Sequence, residues 1–120
     1  MVRIKYSDLA IKDLEDIGDY IADTLKSPVA ALNTVGKIQD TVDKLADFPF
    51  MGSPLSSIMD MAMEKDYRFL VCGNYLVFYR TSEDIVHIGR VLYGKRDYIN
   101  ILFGDLPEHR GQFSYRWEVI

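Results

Sequence analysis

Arginine is the side chain in this sequence best suited to holding an anion, because its planar guanidinium matches a phosphate or a carboxylate with paired hydrogen bonds. Six of the seven arginines lie in residues 61–120: Arg68, Arg80, Arg90, Arg96, Arg110 and Arg116. Arg96 follows Lys95 in a basic turn after Gly94, from which it can reach a partner. Arg68 is either an anion clamp or a solvated strand residue. We expect Arg90 to form a buried ion pair or hydrogen-bond cluster, for which a helix carboxylate is a candidate partner.

Four tyrosines lie in the same part of the chain: Tyr75, Tyr79, Tyr93 and Tyr98. Such rings either stack on nucleic-acid bases or contact a protein, and protein contact is the commoner outcome. An imidazole can act as an acid or a base near neutral pH. A single strand histidine is more often packed, so we assign His87 to packing.

No pattern in the sequence is typical of a metal or cofactor site. A Cys/His cluster, a His-Glu-x-x-His pattern and a glycine-rich phosphate loop are all missing, so we expect no metal and no cofactor. The one cysteine, Cys72, cannot form an intramolecular disulfide.

The length and charge of the chain limit the class of protein further. Its 120 residues predict one domain. The formal net charge of −4 excludes a basic surface over the whole molecule. No apolar run approaches the roughly 18 residues that span a membrane, and the first residues lack the apolar stretch of a signal peptide. We therefore expect a cytoplasmic protein with no membrane partner.

The first half of the chain predicts a strand followed by a helical hairpin. Residues 2–6 alternate apolar and basic side chains, as in a half-buried strand. Ser7 and Ser27-Pro28 are helix-start signals. The expected buried stripes are Ala10, Leu14, Ile17 and Ile21 on the first helix, and Leu32, Val35, Ile38, Val42 and Leu45 on the second. The opposite face of the first helix is expected to be solvated: Asp13, Glu15, Asp16, Asp19 and Asp23. Gly18 and Gly36 either face each other across the hairpin or are two tolerated, unpaired glycines.

Three runs in the second half predict a meander of antiparallel strands over residues 67–72, 75–81 and 85–93. Residues 50–65 read as a loop. Gly73-Asn74 is a two-residue turn, and a three-residue second turn would pair Thr81 with Ile85. The face expected to pack on the helices is Phe69, Val71, Leu76, Phe78, Val86, Ile88, Arg90 and Leu92. The face expected to stay open for binding is Arg68, Leu70, Cys72, Tyr75, Val77, Tyr79, His87, Gly89, Val91 and Tyr93. A one-residue change in the second turn would exchange the faces of the last strand.

Several runs of residues carry a resemblance to a known family. Residues 66–80 read DYRFLVCGNYLVFYR, residues 88–98 read IGRVLYGKRDY, and residues 30–32 and 45–49 of the helical hairpin read AAL and LADFP. Together with the order of elements, these runs resemble RelE/ParE-family toxins of type II toxin–antitoxin systems, historically called plasmid stabilisation proteins. The motif RVLYGKRD at residues 90–97 looks closer to the ParE side. The resemblance covers residues 1–103.

The resemblance implies an α+β fold in which the strand, the antiparallel helical hairpin and the three-stranded meander form one sheet packed on the helices. It implies a growth-inhibiting toxin that binds a target protein, DNA gyrase on the ParE side, and is neutralised by a cognate antitoxin. The expected target-binding residues are Arg68, Tyr75, Tyr79, Tyr93, Lys95 and Arg96.

Two alternatives stay open, and with them whether the protein is an enzyme. The first is a RelE-like, ribosome-dependent, metal-independent mRNA endoribonuclease, an mRNA interferase with Arg68, Arg96 and Tyr98 as catalytic residues. Leu70 and Tyr75 stand where such a nuclease would carry further cations, and an acidic protein binds the ribosome's phosphates poorly. The second alternative is an inactive family member that acts as a binding module.

Residues 104–120 form a C-terminal extension beyond the toxin domain of residues 1–103. Aromatic side chains alternate along it: Phe113, Tyr115 and Trp117. We expect these rings to dock on an apolar surface of this chain, or of a second copy in a homodimer.

Overall fold

One face of a five-stranded sheet packs against two helices in the computed structural model, which describes residues 2–55 and 66–94. The elements are β1 (Arg3–Tyr6), α1 (Asp8–Asp19), α2 (Pro28–Asp43), β2 (Ser53–Pro54), β3 (Tyr67–Cys72), β4 (Tyr75–Ser82) and β5 (Ile85–Tyr93). The strand order is β1-β5-β4-β3-β2, with β1 parallel to β5 and the other pairs antiparallel. The predicted α+β architecture is confirmed, with β2 added at the edge of the sheet.

Both helices begin at the predicted serines. The Ser7 hydroxyl accepts the Ala10 N–H at 2.9 Å and donates to the Gly89 carbonyl at 2.8 Å. The cap of α1 is therefore also a contact to β5. Ser27 accepts the Ala30 N–H in the same way, with Pro28 at the first helical position.

The end of α1 widens into a π-helical turn, Tyr20–Thr24, before the chain reverses. The Leu25 N–H reaches back five residues to the Tyr20 carbonyl. Lys26 then adopts a positive φ of 57°. This turn brings Ile21 back onto the core, completing the stripe predicted for the first helix.

The buried stripe of α2 differs from the prediction at its first turn. Leu32 is 77% exposed, and Ala31 is buried in its place. Ala31 precedes the buried Ile38 by seven residues, two helical turns, and so lies on the same face of α2, whereas Leu32 is turned away from it. Ile38 and Val42 are fully buried, as predicted, and Leu45 is buried in the 3-10 turn Lys44–Ala46 that follows α2.

Gly18 and Gly36 do not face each other. A Cβ on Gly18 would meet Val35 Cγ2 at 3.6 Å, whereas a Cβ on Gly36 would meet no atom within 4 Å. The reading of two tolerated, unpaired glycines is the one that the structure supports.

On β3 and β4 the helices pack on the face that we predicted to be open, whereas Val86 and Ile88 of β5 face the helices as predicted. The buried side chains on this face include Leu70, Val77, Tyr79 and Val91, whereas Val71 is 65% exposed on the other. The prediction was wrong because both faces are apolar: the opposite face also buries Tyr67, Phe78 and Leu92. The number of apolar residues on each face therefore does not indicate which face packs against the helices.

The register of β3 with β4 is as predicted, and that of β4 with β5 is not. Cys72 pairs with Tyr75 across the first turn. The second turn has two residues, so Ser82 pairs with Ile85. Gly89 is an extra residue in β5, because Phe78 pairs with Arg90 while Tyr79 pairs with Ile88. This bulge lets Ile88 and Val91, three positions apart, both face the helices.

The segment after α2 crosses the end of the sheet and is held by Tyr79. The Gly52 N–H donates to the Tyr79 hydroxyl at 2.9 Å, and that hydroxyl donates to the Pro49 carbonyl at 3.0 Å. A Cβ on Gly52 would lie 2.6 Å from the Tyr79 hydroxyl and 2.7 Å from the Phe69 carbonyl. Only glycine therefore allows this approach, after which Ser53 and Pro54 pair with Phe69 and Arg68.

Two glycine substitutions are expected to change stability in opposite directions. Gly52→Ala should lower the free energy of unfolding by about 1–3 kcal/mol, because the new methyl group overlaps both the Tyr79 hydroxyl and a backbone carbonyl. Gly36→Ala should raise it by about 0.5–1 kcal/mol, because it replaces a helix-interior glycine where space is open. Urea denaturation of both variants checks this, and equal effects would contradict the glycine geometry.

Burial raises the pKa of Tyr6 to about 12, and the nearby negative charge of Asp43 adds to the shift. The folded pKa lies above the unfolded value of 10.0, so this hydroxyl's stabilising effect is complete below pH 10 and is lost as the pH rises through about 12. Between pH 10 and 12, the wild-type unfolding free energy should fall more steeply than that of Tyr6→Phe. Identical slopes for wild type and Tyr6→Phe would contradict the assignment.

Candidate partner-binding groove

An open groove lies between the helical hairpin and the end of the sheet formed by the Gly73-Asn74 turn. Its volume is about 770 Å³. One wall comes from α1, the π-helical turn and the start of α2, and the other from β4 and β5. The lining residues are mainly apolar or aromatic: Ile17, Tyr20, Ile21, Leu25, Ala30, Thr34, Asn74, Tyr75, Val91, Leu92 and Tyr93, with Asp13 and Asp16. We refer to this feature as the hairpin groove.

Tyr75 and Tyr93 form the sheet side of the hairpin groove. They are cross-strand partners, and their rings meet edge-to-face with centroids 5.7 Å apart. Burial raises the pKa of the Tyr75 phenol, and proximity to Tyr93 and Tyr20 raises it further. The structure thus brings these two predicted target-binding residues together.

Exposed apolar side chains extend the hairpin groove onto the end of the helical hairpin. Tyr20 and Leu25 line the groove and are 55% and 56% exposed. Val29 and Leu32, in the first turns of α2, are exposed as well. A groove continuous with exposed apolar side chains is typical of a protein-interaction surface.

The wall between α1 and β5 is held by Asp13. Strand β1 pairs with β5 only as far as Ile88, and no other strand of residues 2–55 and 66–94 lies beside the rest of that edge. The Asp13 carboxylate covers it, accepting from Arg90 Nε at 2.8 Å, Arg90 Nη2 at 2.9 Å and the Val91 N–H at 2.9 Å. The predicted pairing of Arg90 with a helix carboxylate is confirmed. The prediction of a solvated Asp13 was wrong, because helical periodicity does not register the open edge of a strand beside the helix.

Arg68 lies at the other end of the sheet and is bound to its own chain. Its Nε donates to Asp66 Oδ2 at 2.9 Å, and its Nη1 donates to the Gly52 and Phe50 carbonyls at 2.8 and 3.2 Å. The guanidinium also lies 5.2 Å from the centroid of the Phe50 ring. The structure therefore corrects the expectation of an Arg68 on an open face: this arginine fastens the segment after α2 to β3.

Tyr79, an expected target-binding residue, does not reach the surface of the described structure. Its side chain is fully buried on the helix-packed face, and its hydroxyl is engaged by Gly52 and Pro49. Burial raises the pKa of its phenol. Tyr79 is a core residue with a structural hydrogen bond.

The remaining predicted site residues, Lys95, Arg96 and Tyr98, and the extension of residues 104–120, lie outside the described residues. Of the site residues that the structure describes, Tyr75 and Tyr93 meet in the hairpin groove, and Arg68 and Tyr79 do not. The residues that sequence reasoning missed are Asp13 and Gly52. The sequence did carry a signal for Asp13: β5 was predicted to be longer than β1, so part of the β5 edge needed another hydrogen-bond partner. Nothing in the sequence pointed to Gly52, because its role depends on the path of the loop.

A helical hairpin packed on a mixed sheet, with an open apolar groove at their junction, defines a small α+β protein. Comparison with known proteins identifies the family. Residues 4–98 match the model of the ParE toxin of the type II toxin–antitoxin system, parDE, and the chain belongs to this family.

Two relatives illustrate the match. The chain is 34% identical over 85 residues to a Sinorhizobium fredii (strain NBRC 101917 / NGR234) protein named "Putative toxin Y4kP", covering 69% of this chain and 79% of the relative. A solved structure described as the chromosomal ParDE TA system from P. aeruginosa has the same fold, with a TM-score of 0.64 and 22% identity, over 78% of this chain and 96% of the other. Among the described residues, no helix is long and apolar enough to cross a membrane.

The Asp13–Arg90 pair can be tested by a double-mutant cycle. The two side chains are only 11% and 15% exposed, so replacing Arg90 by Met leaves a shielded carboxylate with its charge unpaired, and should cost about 3 kcal/mol of unfolding free energy. The double variant Asp13→Leu/Arg90→Met should be more stable than the sum of the two single effects predicts, by about 1 kcal/mol or more. Additive effects in urea denaturation would contradict a coupled pair.

Proposed function

We propose that this protein inhibits growth by binding DNA gyrase, and that a cognate antitoxin neutralises it by occupying the hairpin groove. Membership of the ParE toxin family supports the toxin half of this proposal. The observation that carries the rest is the hairpin groove itself, an exposed apolar channel whose rim holds the Tyr75–Tyr93 pair. The protein is expected to act in the cytoplasm, where gyrase is found.

The shape of the hairpin groove suits a segment that folds as it binds. An amphipathic helix could place its apolar side against Ile17, Ile21 and Leu25 while its polar side faces solvent. A neutralising segment there would cover Tyr75 and Tyr93. Antitoxin and target would then compete for the same two rings, which explains neutralisation without a conformational change.

The target contact is proposed to include Tyr75 and Tyr93, with Lys95 and Arg96 following directly in the chain. Aromatic rings packed against each other lose little freedom on binding, so they are efficient anchors for a protein partner. Tyr79 is not part of this contact, because it is buried, and Arg68 is occupied by its hydrogen bonds to Asp66, Gly52 and Phe50.

The engagement of Arg68 also bears on the nuclease alternative. A ribosome-dependent nuclease would use Arg68 to neutralise the strained phosphate, but here its guanidinium holds two backbone carbonyls and a carboxylate. Releasing it would cost those bonds and loosen the segment after α2. The arrangement therefore favours a toxin that acts by binding.

Purified protein should inhibit DNA supercoiling by purified gyrase, and should leave mRNA on translating ribosomes intact. Tyr93→Ala should raise the concentration for half-maximal inhibition about tenfold or more, as expected for loss of a central aromatic anchor. Phe48→Ala is the matched control, since Phe48 is an exposed aromatic residue that does not line the groove. It should behave as wild type.

Three outcomes would count against the proposal. Cleavage of ribosome-bound mRNA with gyrase unaffected would make the nuclease reading correct. Absence of both activities, together with no growth inhibition on expression, would support the inactive binding module. Equal losses for Tyr93→Ala and Phe48→Ala would remove the hairpin groove from the target contact.

A further inference from the structure

The hairpin groove is acidic on its helical side. Residues 8–27, which form α1 and the turn after it, carry six acidic and two basic side chains. Among the described residues that line the groove, Asp13 and Asp16 carry charge, and none is a lysine, an arginine or a histidine. Asp13 is neutralised by Arg90, so the charge that a partner would meet lies nearer the surface.

Two rows of side chains run along α1 and the π-helical turn where they border the groove. Asp13, Ile17 and Tyr20 are spaced four and three residues apart, so they share the side of the helix that lines the groove. A second row, spaced three and four residues apart, follows the neighbouring edge of the helix and consists of aspartates: Asp16, Asp19 and Asp23. We refer to these three aspartates as the acidic rim. Because Asp16 itself lines the groove, the acidic rim lies at its border.

The acidic rim is accessible, and most of its charge is not neutralised by the described part of the chain. All three side chains are exposed. Asp16 lies 3.4 Å from Lys12, one turn earlier on α1, in an exposed ion pair of the kind that contributes little. Within residues 2–55 and 66–94, no ion pair involves Asp19 or Asp23. A cation brought to this border would therefore find carboxylates available to it.

We propose, on the basis of the proposed function, that the antitoxin segment in the hairpin groove is an amphipathic helix with lysine or arginine along the edge that faces α1. Its apolar side packs between Ile21 and the rings of Tyr75 and Tyr93, which line opposite walls of the groove. Its basic edge lies against the acidic rim. Charges at the border of an interface select the partner and speed its association more than they raise the total affinity.

An acidic or a neutral helix fits the groove less well. A helix that buries its apolar stripe places the residues beside the stripe at the border of the contact. Glutamates there would lie next to the unpaired Asp19 and Asp23, and like charges across an interface oppose binding. A neutral helix would take water from these carboxylates without replacing its hydrogen bonds. Lysine and arginine avoid both costs, because their charged ends reach the acidic rim while their stems cover apolar surface.

The test is binding of two fluorescein-labelled model helices of about 18 residues to the full chain, followed by fluorescence anisotropy. Both peptides carry leucine along one side, and the positions beside the leucines are lysine in one peptide and glutamate in the other. The lysine helix should bind at least about tenfold more tightly at low salt, and the difference should shrink as salt screens the charges. Tyr93→Ala should weaken binding of the lysine helix about tenfold, which would locate the peptide in the groove.

Removing the charge of the acidic rim should remove the preference. Asp16→Asn/Asp19→Asn/Asp23→Asn should lower the affinity for the lysine helix about tenfold, because three exposed charge contacts are lost, and should not lower that for the glutamate helix. Should this variant fail to fold by circular dichroism, Asp19→Asn/Asp23→Asn takes its place, with an expected loss of about fivefold.

Asp40→Asn/Asp43→Asn/Asp47→Asn is the matched control. It removes the same charge from exposed positions on α2 and after it, none of which lines the groove, and should change the affinity for the lysine helix less than about twofold. Equal weakening by the rim variant and this control would overturn the proposal, because it would show a response to net charge alone.

Two further outcomes would overturn the proposal, and they differ in what they say of the groove. Equal affinities for the lysine and glutamate helices, both lowered by Tyr93→Ala, would leave the groove as a docking site without a charge preference. Binding that Tyr93→Ala does not change would place the peptide elsewhere and would count against an antitoxin in the groove as well. Gyrase takes no part in these measurements, so a failure of the proposed target is seen separately, in the supercoiling assay.

Discussion

The carboxylate of Asp13 is the point at which the two layers of this protein are joined. It satisfies a backbone N–H of β5 where β1 no longer reaches, and at the same time holds the side chain of the preceding residue, Arg90. An unpaired strand edge next to a helix would otherwise have to be solvated, which would separate the layers. The groove depends on this contact, because Asp13 and Val91 both belong to its lining. Ser7 connects the same two layers nearby, because its hydroxyl caps α1 and donates to the Gly89 carbonyl of β5.

Different contacts hold the opposite end of the sheet. There a buried phenol and a guanidinium, those of Tyr79 and Arg68, hold the backbone of the segment that follows α2. These two residues look like binding residues in the sequence, since they are a tyrosine and an arginine on a strand. Their polar atoms instead form hydrogen bonds with backbone N–H and C=O groups of the loop that crosses the end of the sheet. At the other end of the sheet, the rings of Tyr75 and Tyr93 meet each other and line the hairpin groove.

Much of the fold could be predicted from local patterns. Serine caps, a proline at a helix start and a Gly-Asn turn each act over a few residues, and all of them hold in the structure. The choice of sheet face could not be predicted, because Phe78 and Leu92 on one face are as apolar as Val77 and Val91 on the other. The change of strand register at Gly89 could not be predicted either, because the bulge depends on how Ile88 and Val91 pack against the helices. For the candidate site, the tyrosines of the groove could be named from the sequence, whereas their separation from Arg68 and Tyr79 follows from the sheet's long-range contacts.

The pairing of β1 with β5 joins residues more than 80 positions apart, and it has a consequence for the growing chain. Arg3 finds its partner only when Ile85 has been made, and Asp13 only when Arg90 and Val91 have left the ribosome. Contacts of such high sequence separation form late and slowly. The helical hairpin can therefore emerge and sample helix on its own, but the groove does not exist until nearly all of the toxin domain has been synthesised. A nascent or prematurely terminated chain that stops before β5 lacks one wall of the hairpin groove, so the groove exists only in nearly full-length chains.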